Sequence, residues 1–364
     1  MKIGVDAHVL SGKFQGSRTY LANLYKAVLS RDTNNEYFFF GHWNGSSPLG
    51  TDVNYVEYPS HSRLKRLLYQ TPPLVRKYGV ELFHSTYISP MYLPCKSLLT
   101  VHDILFETHP QFFKRSEVVR NKFLVRRSVR HAAQIHTVSE YSRQSLSALY
   151  RIPEQRIKVV SNGVDQNIYS PKDKDAAIER VAKQFNVRDY ILCVGRLEPR
   201  KNHVGLIKAY ARLKHGNIKV GPLVIVGQRD FSYSTIFDML RERGLEDSVL
   251  VLESVSDQLL PDLYRAARVF VYPSFAEGFG IPPLEAMACG TPVVTSNTTA
   301  LSEVVGSGGL AVNPHKHEEI AAAISAILVD PELSSRLVTE GLKQAQKWSW
   351  DNAARNYLDA INSL

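Results

Sequence analysis

Short apolar runs rich in β-branched and aromatic residues recur along this chain, separated by longer stretches with helical spacing. Seven runs fall in the first half: IGVDA (3–7), EYFFFG (36–41), VNYVEY (53–58), LFHST (82–86), SLLTVHD (97–103), QIHTVS (134–139) and IKVVSNG (157–163). The second half offers YILCVG (190–195), PLVIVG (222–227), VLVLES (249–254), VFVYPS (269–274), PVVTSN (292–297) and GLAVNP (309–314). Many are continuous rather than alternating, which suits strands of a parallel sheet covered by helices on both faces. Helical patterns lie between them at 19–29, 117–133, 204–213, 259–267 and 318–328. Strand–helix alternation run through twice predicts an α/β protein with two doubly wound, Rossmann-like domains. The polar segment QNIYSPKDKDAAI (166–178) marks the seam, giving domains 1–168 and 169–345. Residues 346–364 read as a helix with no strand after it, expected to pack back on the first domain. Ligands of open α/β sheets sit beyond the carboxyl ends of the strands, so two such domains facing each other would form a cleft there.

Composition narrows the class. At about 150 residues per domain, 364 residues make two domains. Hydrophobic residues at 44% and charged residues at 22% are ordinary for a globular chain, which sets aside disorder, collagen and coiled coil. No apolar run approaches the roughly 18 to 20 residues that span a bilayer. The start, MKIGVDAHVL, lacks a basic stretch followed by an apolar one, so no signal peptide is expected. Cys95, Cys193 and Cys289 are too scattered for a disulfide framework or a zinc site and read as reduced thiols of a cytoplasmic protein.

Charge changes the picture more. Residues 1–165 carry 22 basic and 12 acidic side chains, net +10, whereas 166–364 carry 22 and 23, net −1. Lys114, Arg115, Arg120, Lys122, Arg126, Arg127 and Arg130 stand against only Glu117 between positions 114 and 131. A second cluster holds Arg63, Lys65, Arg66, Arg76 and Lys77. This asymmetry predicts an anionic partner for the first half. Val118, Val125 and Val129 add a weak apolar stripe to 117–131, which suggests contact with an anionic membrane surface.

The sharpest segment for chemistry is EGFGIPPLE (277–285), after the run VFVYPS. Pro282 and Pro283 suit the first turn of a helix that Gly290 would stop. Gly278 and Gly280 let the backbone approach a ligand, and the N–H groups of Phe279, Gly280, Ile281 and Leu284 would make a helix N-terminal site for a diphosphate. Glu285, one turn in, can accept two hydrogen bonds from a vicinal diol such as ribose, while Glu277 can face another part of the same ligand. In GRLEPRKN (195–202), Asn202 can cap the next helix, and Arg196 and Lys201 can both grip phosphate oxygens.

These stretches, with VVSNGVD (159–165) and VHD (101–103), resemble the retaining GT-B glycosyltransferases of family four, the glycosyl transferases group 1 family, and among them polysaccharide and lipopolysaccharide mannosyltransferases. The resemblance implies a nucleotide sugar held by the C-terminal domain and an acceptor held mainly by the N-terminal one. It implies Arg196 and Lys201 as diphosphate grips, Glu285 as the ribose ligand, Glu277 at the donor-sugar hydroxyls, and Phe279, Gly280 and Ile281 as the backbone cradle. Glu253–Val255 falls where the family holds the base. His102 resembles the family's active-site histidine, with Asp103 beside it fixing the ring or touching acceptor. The family's Gly-rich loop after the first strand is interrupted here, Gly12 and then Gly16-Ser17-Arg18-Thr19-Tyr20, and Gly16 is the glycine expected near the donor phosphate.

The family resembles a same-face substitution in which the leaving phosphate helps take the acceptor proton, so the protein's work would be positioning and charge stabilisation. No Asp-x-Asp metal site is apparent, and catalysis without a divalent metal or other cofactor is expected. The donor expected first is GDP-mannose, with UDP-glucose close behind. The acceptor would be a saccharide or lipid-linked glycan at the inner face of the membrane. A GT-B sugar-nucleotide epimerase is the enzymatic alternative. Nucleic acid is not an expected partner, since the basic clusters carry no recognition motif.

Overall fold

The computed structural model describes residues 1–11, 16–43, 48–216, 218–230 and 232–364. The chain divides into two compact units, Met1–Gly163 joined by Trp350–Leu364, and Val164–Ser349.

In the first unit the strands are β1 (Lys2–Asp6), β2 (Glu36–Gly41), β3 (Asn54–Glu57), β4 (Leu82–Thr86), β5 (Lys96–Thr100), β6 (Gln134–Thr137) and β7 (Ile157–Val159). They form one sheet in the order β3-β2-β1-β4-β5-β6-β7, every pairing parallel. In the second unit, β8 (Ile191–Val194), β9 (Leu223–Val226), β10 (Val249–Leu252), β11 (Val269–Tyr272), β12 (Val293–Ser296) and β13 (Gly309–Val312) form a parallel sheet ordered β10-β9-β8-β11-β12-β13. All thirteen strands overlap the apolar runs of the sequence. Val5, Phe39, Leu82, Phe83, Leu98 and Leu99 are fully buried, as are Leu192, Val224, Ile225, Phe270 and Val293, because helices cover both faces of each sheet. Each such side chain contributes about 1.5–3 kcal/mol on burial. Both units therefore have the doubly wound architecture expected from the sequence.

The terminal stretch is not one helix. Helix Pro331–Lys347 ends, and a second, Trp350–Asn362, begins after Trp348 and Ser349. The interruption has a local cause: the Trp348 carbonyl accepts the Val164 N–H at 3.0 Å and Ser349 forms a bridge with Val164, so this backbone is used laterally. Within the first unit, Trp350–Asn362 packs on helix Gly16–Leu29. The Tyr357 and Tyr25 hydroxyls meet at 2.8 Å, Tyr25 reaches His84 Nδ1 at 2.6 Å, and His84 Nε2 reaches Thr100 Oγ1 at 2.7 Å. A buried hydrogen-bond chain thus ties the last helix to β4 and β5.

The basic segment forms helix Arg115–His131. Its expected apolar stripe does not face solvent. Val125 and Val129 are buried in a core with Leu99, Val101 and Ile135, and Val118 is half-buried. Positions separated by four residues share a helix face, and that face is the one the sheet covers. Among the described residues no helix is long and apolar enough to cross a membrane. Cys193 and Cys289 are buried and Cys95 partly buried, all three as free thiols.

Strand order reverses between β1 and β4 in one sheet and between β8 and β11 in the other. At such a reversal the loops leaving neighbouring strands diverge to opposite faces and open a crevice beyond the carboxyl ends. The loops after β8 and β11 are the two motif-bearing segments, GRLEPRKN and EGFGIPPLE.

Candidate active site

The two loops of the second unit are laced together by backbone and side chain. After β8 the chain passes Gly195–Glu198, makes a short 3-10 turn at Pro199–Lys201, and reaches Asn202 in the left-handed region at φ 57°. The Asn202 side chain accepts from the Gly205 N–H at 3.2 Å, capping helix His203–Lys214. Its amide also donates to the Pro273 carbonyl at 3.0 Å and the Pro314 carbonyl at 2.7 Å. The Phe275 N–H donates to the Arg200 carbonyl at 2.9 Å, and the Ser274 hydroxyl oxygen lies 3.2 Å from the same carbonyl. Asn202 is thus more than the helix cap read from sequence, since it also pins the β8 loop to the loop after β11.

Between the loops lies a buried, nearly charge-balanced cluster. Lys201 Nζ donates to Glu277 Oε1 at 2.6 Å and to the Tyr272 hydroxyl at 2.6 Å. Ser274 and Tyr272 donate to the same Oε1 at 2.5 and 3.0 Å. Arg200 donates to Glu277 Oε2 at 2.7 Å, to the Ala276 carbonyl at 2.8 Å, and to Glu198 at 2.6 Å. Burial alone would push the Glu277 carboxyl up, but Arg200 and Lys201 outweigh it and hold the group at about 2. Burial and the neighbouring Arg200 push Lys201 down, while Glu277 opposes them. Arg200 carries no signal in the motif that separates it from a surface cation; only its fork on Glu277 and Glu198 shows its role.

Arg196, paired with Lys201 in the sequence reading, lies elsewhere in the same loop. Its side chain is 42% exposed and binds Asp230 at 2.8 Å. Lys201 therefore faces Glu277 and Arg196 faces Asp230, and a phosphate between them would have to draw both from carboxylates.

Helix Ile281–Ala288 starts from Gly280, whose φ of 124° few side chains adopt; a Cβ there would meet Leu301 at 2.7 Å. Pro282 and Pro283 donate nothing, so the donors of the first turn are Gly280 and Ile281. Leu284 differs from the expectation: four residues past the cap, its N–H falls in the helical ladder, and its side chain is fully buried. Gly278 and Phe279 are buried, the Phe279 ring edge-on to Trp348 at 5.2 Å.

Glu285 stands one turn further on, half-buried, its Oε2 accepting from the Tyr264 hydroxyl at 2.8 Å. Burial pushes its carboxyl up to about 7, against the hydrogen bonds of Tyr264 and Tyr169 and with help from the charge of Asp257. Neither tyrosine is marked by the E-x7-E spacing. Asp257 lies in the segment after β10, which also holds half-buried Val255 and exposed Glu253, the latter bound to Arg229 at 2.6 Å.

In the first unit, His102 follows β5 with its ring buried, edge-on to Tyr20 at 4.7 Å and tilted against Tyr87 at 5.4 Å. Burial pushes it down to about 4, so the ring is neutral at physiological pH. Among the described residues, nothing hydrogen-bonds its buried Nε2. Asp103 accepts from the Leu105 N–H at 3.0 Å and the Tyr87 hydroxyl at 3.4 Å. Gly16 opens helix Gly16–Leu29 on the surface with open space around it; Gly12, from the same loop, lies outside the described residues. No group of three or more His, Cys, Asp or Glu among the described residues is placed to hold a metal ion.

The chain is similar to known proteins along most of its length. The model of the family described as glycosyl transferases group 1 matches residues 174–344, and that of glycosyltransferase family 4 matches residues 14–167. The O-antigen chain mannosyltransferase B of Escherichia coli is 34% identical over 323 residues, 84% of either chain. The chain belongs to the glycosyl transferases group 1 family. Solved structures agree on the fold of this glycosyltransferase. Sucrose-phosphate synthase from Thermosynechococcus elongatus matches with a TM-score of 0.81 at 20% identity, covering 100% of this chain and 98% of that one. HepE of Anabaena, solved in complex with UDP-glucose, matches with a TM-score of 0.78 at 21% identity over 100% of both chains.

Proposed function

We propose that this glycosyltransferase moves mannose from GDP-mannose to a saccharide or lipid-linked acceptor, with retention of configuration, in cell-surface glycan assembly at the cytoplasmic face of the membrane. The observation that carries this reading is the 34% identity, over 84% of both chains, with an O-antigen chain mannosyltransferase. The second unit would bind the donor: Gly280 and Ile281 offer N–H groups to the diphosphate, Glu285 takes the ribose diol, and Glu277 meets sugar hydroxyls. Arg196 and Lys201 would leave Asp230 and Glu277 for the phosphate oxygens as charge develops there. Those two cations supply the positive charge, so turnover would need no divalent metal. Val255 and its neighbours would border the base. In the first unit, neutral His102 would offer its unpaired Nε2 to a sugar hydroxyl, Gly16 would approach the donor phosphate and Asp103 the acceptor.

Transfer of glucose from UDP-glucose is the second reading, favoured by the TM-score of 0.78 with a protein solved around that molecule. Calorimetric titration with GDP, UDP, GDP-mannose and UDP-glucose in EDTA separates the two. Tight binding of the guanine pair alone is expected. Preference for the uracil pair would transfer the proposal to glucose, and binding restored only by Mg²⁺ would end the metal-free reading. Conversion of the nucleotide sugar without acceptor would instead mark an epimerase.

His102→Ala is expected to leave donor affinity unchanged and to lower turnover about a hundredfold through lost positioning. Since the ring stays neutral down to about pH 4, turnover between pH 5 and 8 should carry no ionisation that disappears in this variant. Loss of donor affinity in His102→Ala would remove it from the acceptor side.

A further inference from the structure

Arg66 is a cation inside the first unit with a donor left over. Its side chain is only 10% exposed, and among the described residues nothing accepts a hydrogen bond from its Nε. The Asp6 carboxylate lies 3.7 Å from that atom, an ion pair beyond hydrogen-bond reach. A buried N–H without an acceptor is costly to a folded chain and calls for a cause. Arg66 also opens a single π-helical turn, Arg66–Gln70, between the helical turn Arg63–Lys65 and helix Thr71–Tyr78. Such turns are rare and gather at functional sites. Thr71 Oγ1 donates to the Arg66 carbonyl at 2.8 Å, which holds the residue's backbone in place.

The neighbours of Arg66 include an acid–imidazole pair. Asp6 is the last residue of β1 and is buried. Its Oδ1 lies 2.9 Å from His8 Nδ1 and accepts from the Tyr58 hydroxyl at 3.5 Å. Burial would push the Asp6 carboxyl up, but the charges of His8 and Arg66 and hydrogen bonding by His8 hold it well below the usual carboxylate range. A charged carboxylate only accepts, so it takes the Nδ1 proton of His8 and leaves Nε2 of the neutral ring as an acceptor. The His8 side chain is 31% exposed, so the ring can be reached from outside.

The cluster stands where the strand order of the first sheet reverses, between β1 and β4. Val5 pairs with His84 of β4, and both Asp6 and His102 act electrostatically on the His84 ring. Asp6 and His8 therefore border the same end of the sheet as His102.

Charge selects the kind of ligand. Asp6 and Arg66 offset each other, so the unmet demand is for a hydrogen bond rather than for charge. A phosphate or carboxylate at Arg66 Nε would come close to the Asp6 carboxylate and be repelled by it. A hydroxyl suits both, because it can accept from the guanidinium and donate to the carboxylate at once.

We propose that Asp6, His8 and Arg66 form a subsite for a neutral hexose of the acceptor, one hydroxyl donating to Asp6 while accepting from Arg66 Nε and a second donating to His8 Nε2. The inference rests on the reading of a glycan acceptor and names residues that recognise it. Saturation-transfer NMR with methyl α-mannoside, methyl β-galactoside and methyl N-acetyl-α-glucosaminide, each with and without GDP, tests it. At least one of these neutral glycosides should bind the wild type, and inorganic phosphate should not displace it. His8→Ala should weaken that binding about tenfold, and His8→Gln, which keeps an acceptor, should recover part of the loss. Arg66→Lys keeps a charge opposite Asp6 but loses Nε, and should weaken binding about 10- to 100-fold. If Arg66→Lys misfolds, the two His8 variants carry the test. All folded variants should leave the calorimetric nucleotide titration unchanged. No glycoside binding in the wild type, displacement by inorganic phosphate, or unchanged binding in His8→Ala would overturn the proposal. A wild type that binds a glycoside through His8 but binds no nucleotide would count against the glycosyltransfer reading and spare this subsite.

Discussion

Glu277→Ala is expected to destabilise the second unit by about 3–5 kcal/mol and to lower turnover about 10²–10³-fold. The carboxylate is the shared acceptor of Lys201, Arg200, Ser274 and Tyr272. Removing it leaves two buried cations with only Glu198 for an anion. Glu277→Gln keeps an acceptor for Lys201 but loses the charge, so it should fall between the wild type and Ala. Urea unfolding and turnover at saturating donor check both variants. An unfolding midpoint unchanged in Glu277→Ala would mean that the cluster does not hold the two loops. The acid dependence has a definite sign. With a folded value of about 2 against an ordinary 4.5, Glu277 contributes stability that is complete above 4.5 and lost as pH falls towards 2. The Ala variant should lack that component of acid unfolding.

Glu285→Ala should weaken nucleotide binding about 10²–10³-fold, since two hydrogen bonds from a diol to a carboxylate are charge-assisted. A proton is also involved. The carboxyl of the free protein is pushed up to about 7, and a ribose diol donating to it favours the charged form. Binding near pH 7 should therefore release a proton, seen as a heat that depends on the ionisation enthalpy of the buffer, and affinity should decline from pH 8 to pH 6. Glu285→Gln should show neither effect. The stability sign is opposite to that of Glu277: the folded protein holds this proton more tightly than the unfolded chain between 4.5 and 7, so stability from this group falls as pH rises through that window. Equal nucleotide affinity in wild type and Glu285→Ala would remove the residue from the ribose.

The strands were legible because a strand buried on both faces is apolar at nearly every position, a signal that survives without knowing its neighbours. LFHST (82–86) is buried along its whole length as β4. Loops gave less. Arg196, Arg200 and Lys201 stand within six residues, and which two meet Glu277 is decided by a 3-10 turn and by Asn202 at φ 57°. Side-chain type says nothing about that rotation. The same limit applies to helix Arg115–His131, where one residue turns a side chain by about 100°. Val118, Val125 and Val129 look like an interfacial stripe, yet the exposed pair is Val119 and Phe123. Tyr169 and Tyr264 could not be matched to Glu285 from spacing, because they arrive from separate segments of the second unit.

The order in which the units use the chain has a consequence during synthesis. Val164–Ser349 is one continuous stretch and has all its residues before the ribosome reaches Trp350, whereas the unit that begins at Met1 still lacks Trp350–Leu364. A domain folds as it emerges once its own contacts are present, so the part translated second is complete first. Until Tyr357 arrives, the Tyr25 hydroxyl and the face of helix Gly16–Leu29 that it belongs to stay uncovered, exposed to holdase chaperones for the length of translation. Truncation just before Trp350 would accordingly damage the product at its amino-terminal sheet, far in sequence from the lesion.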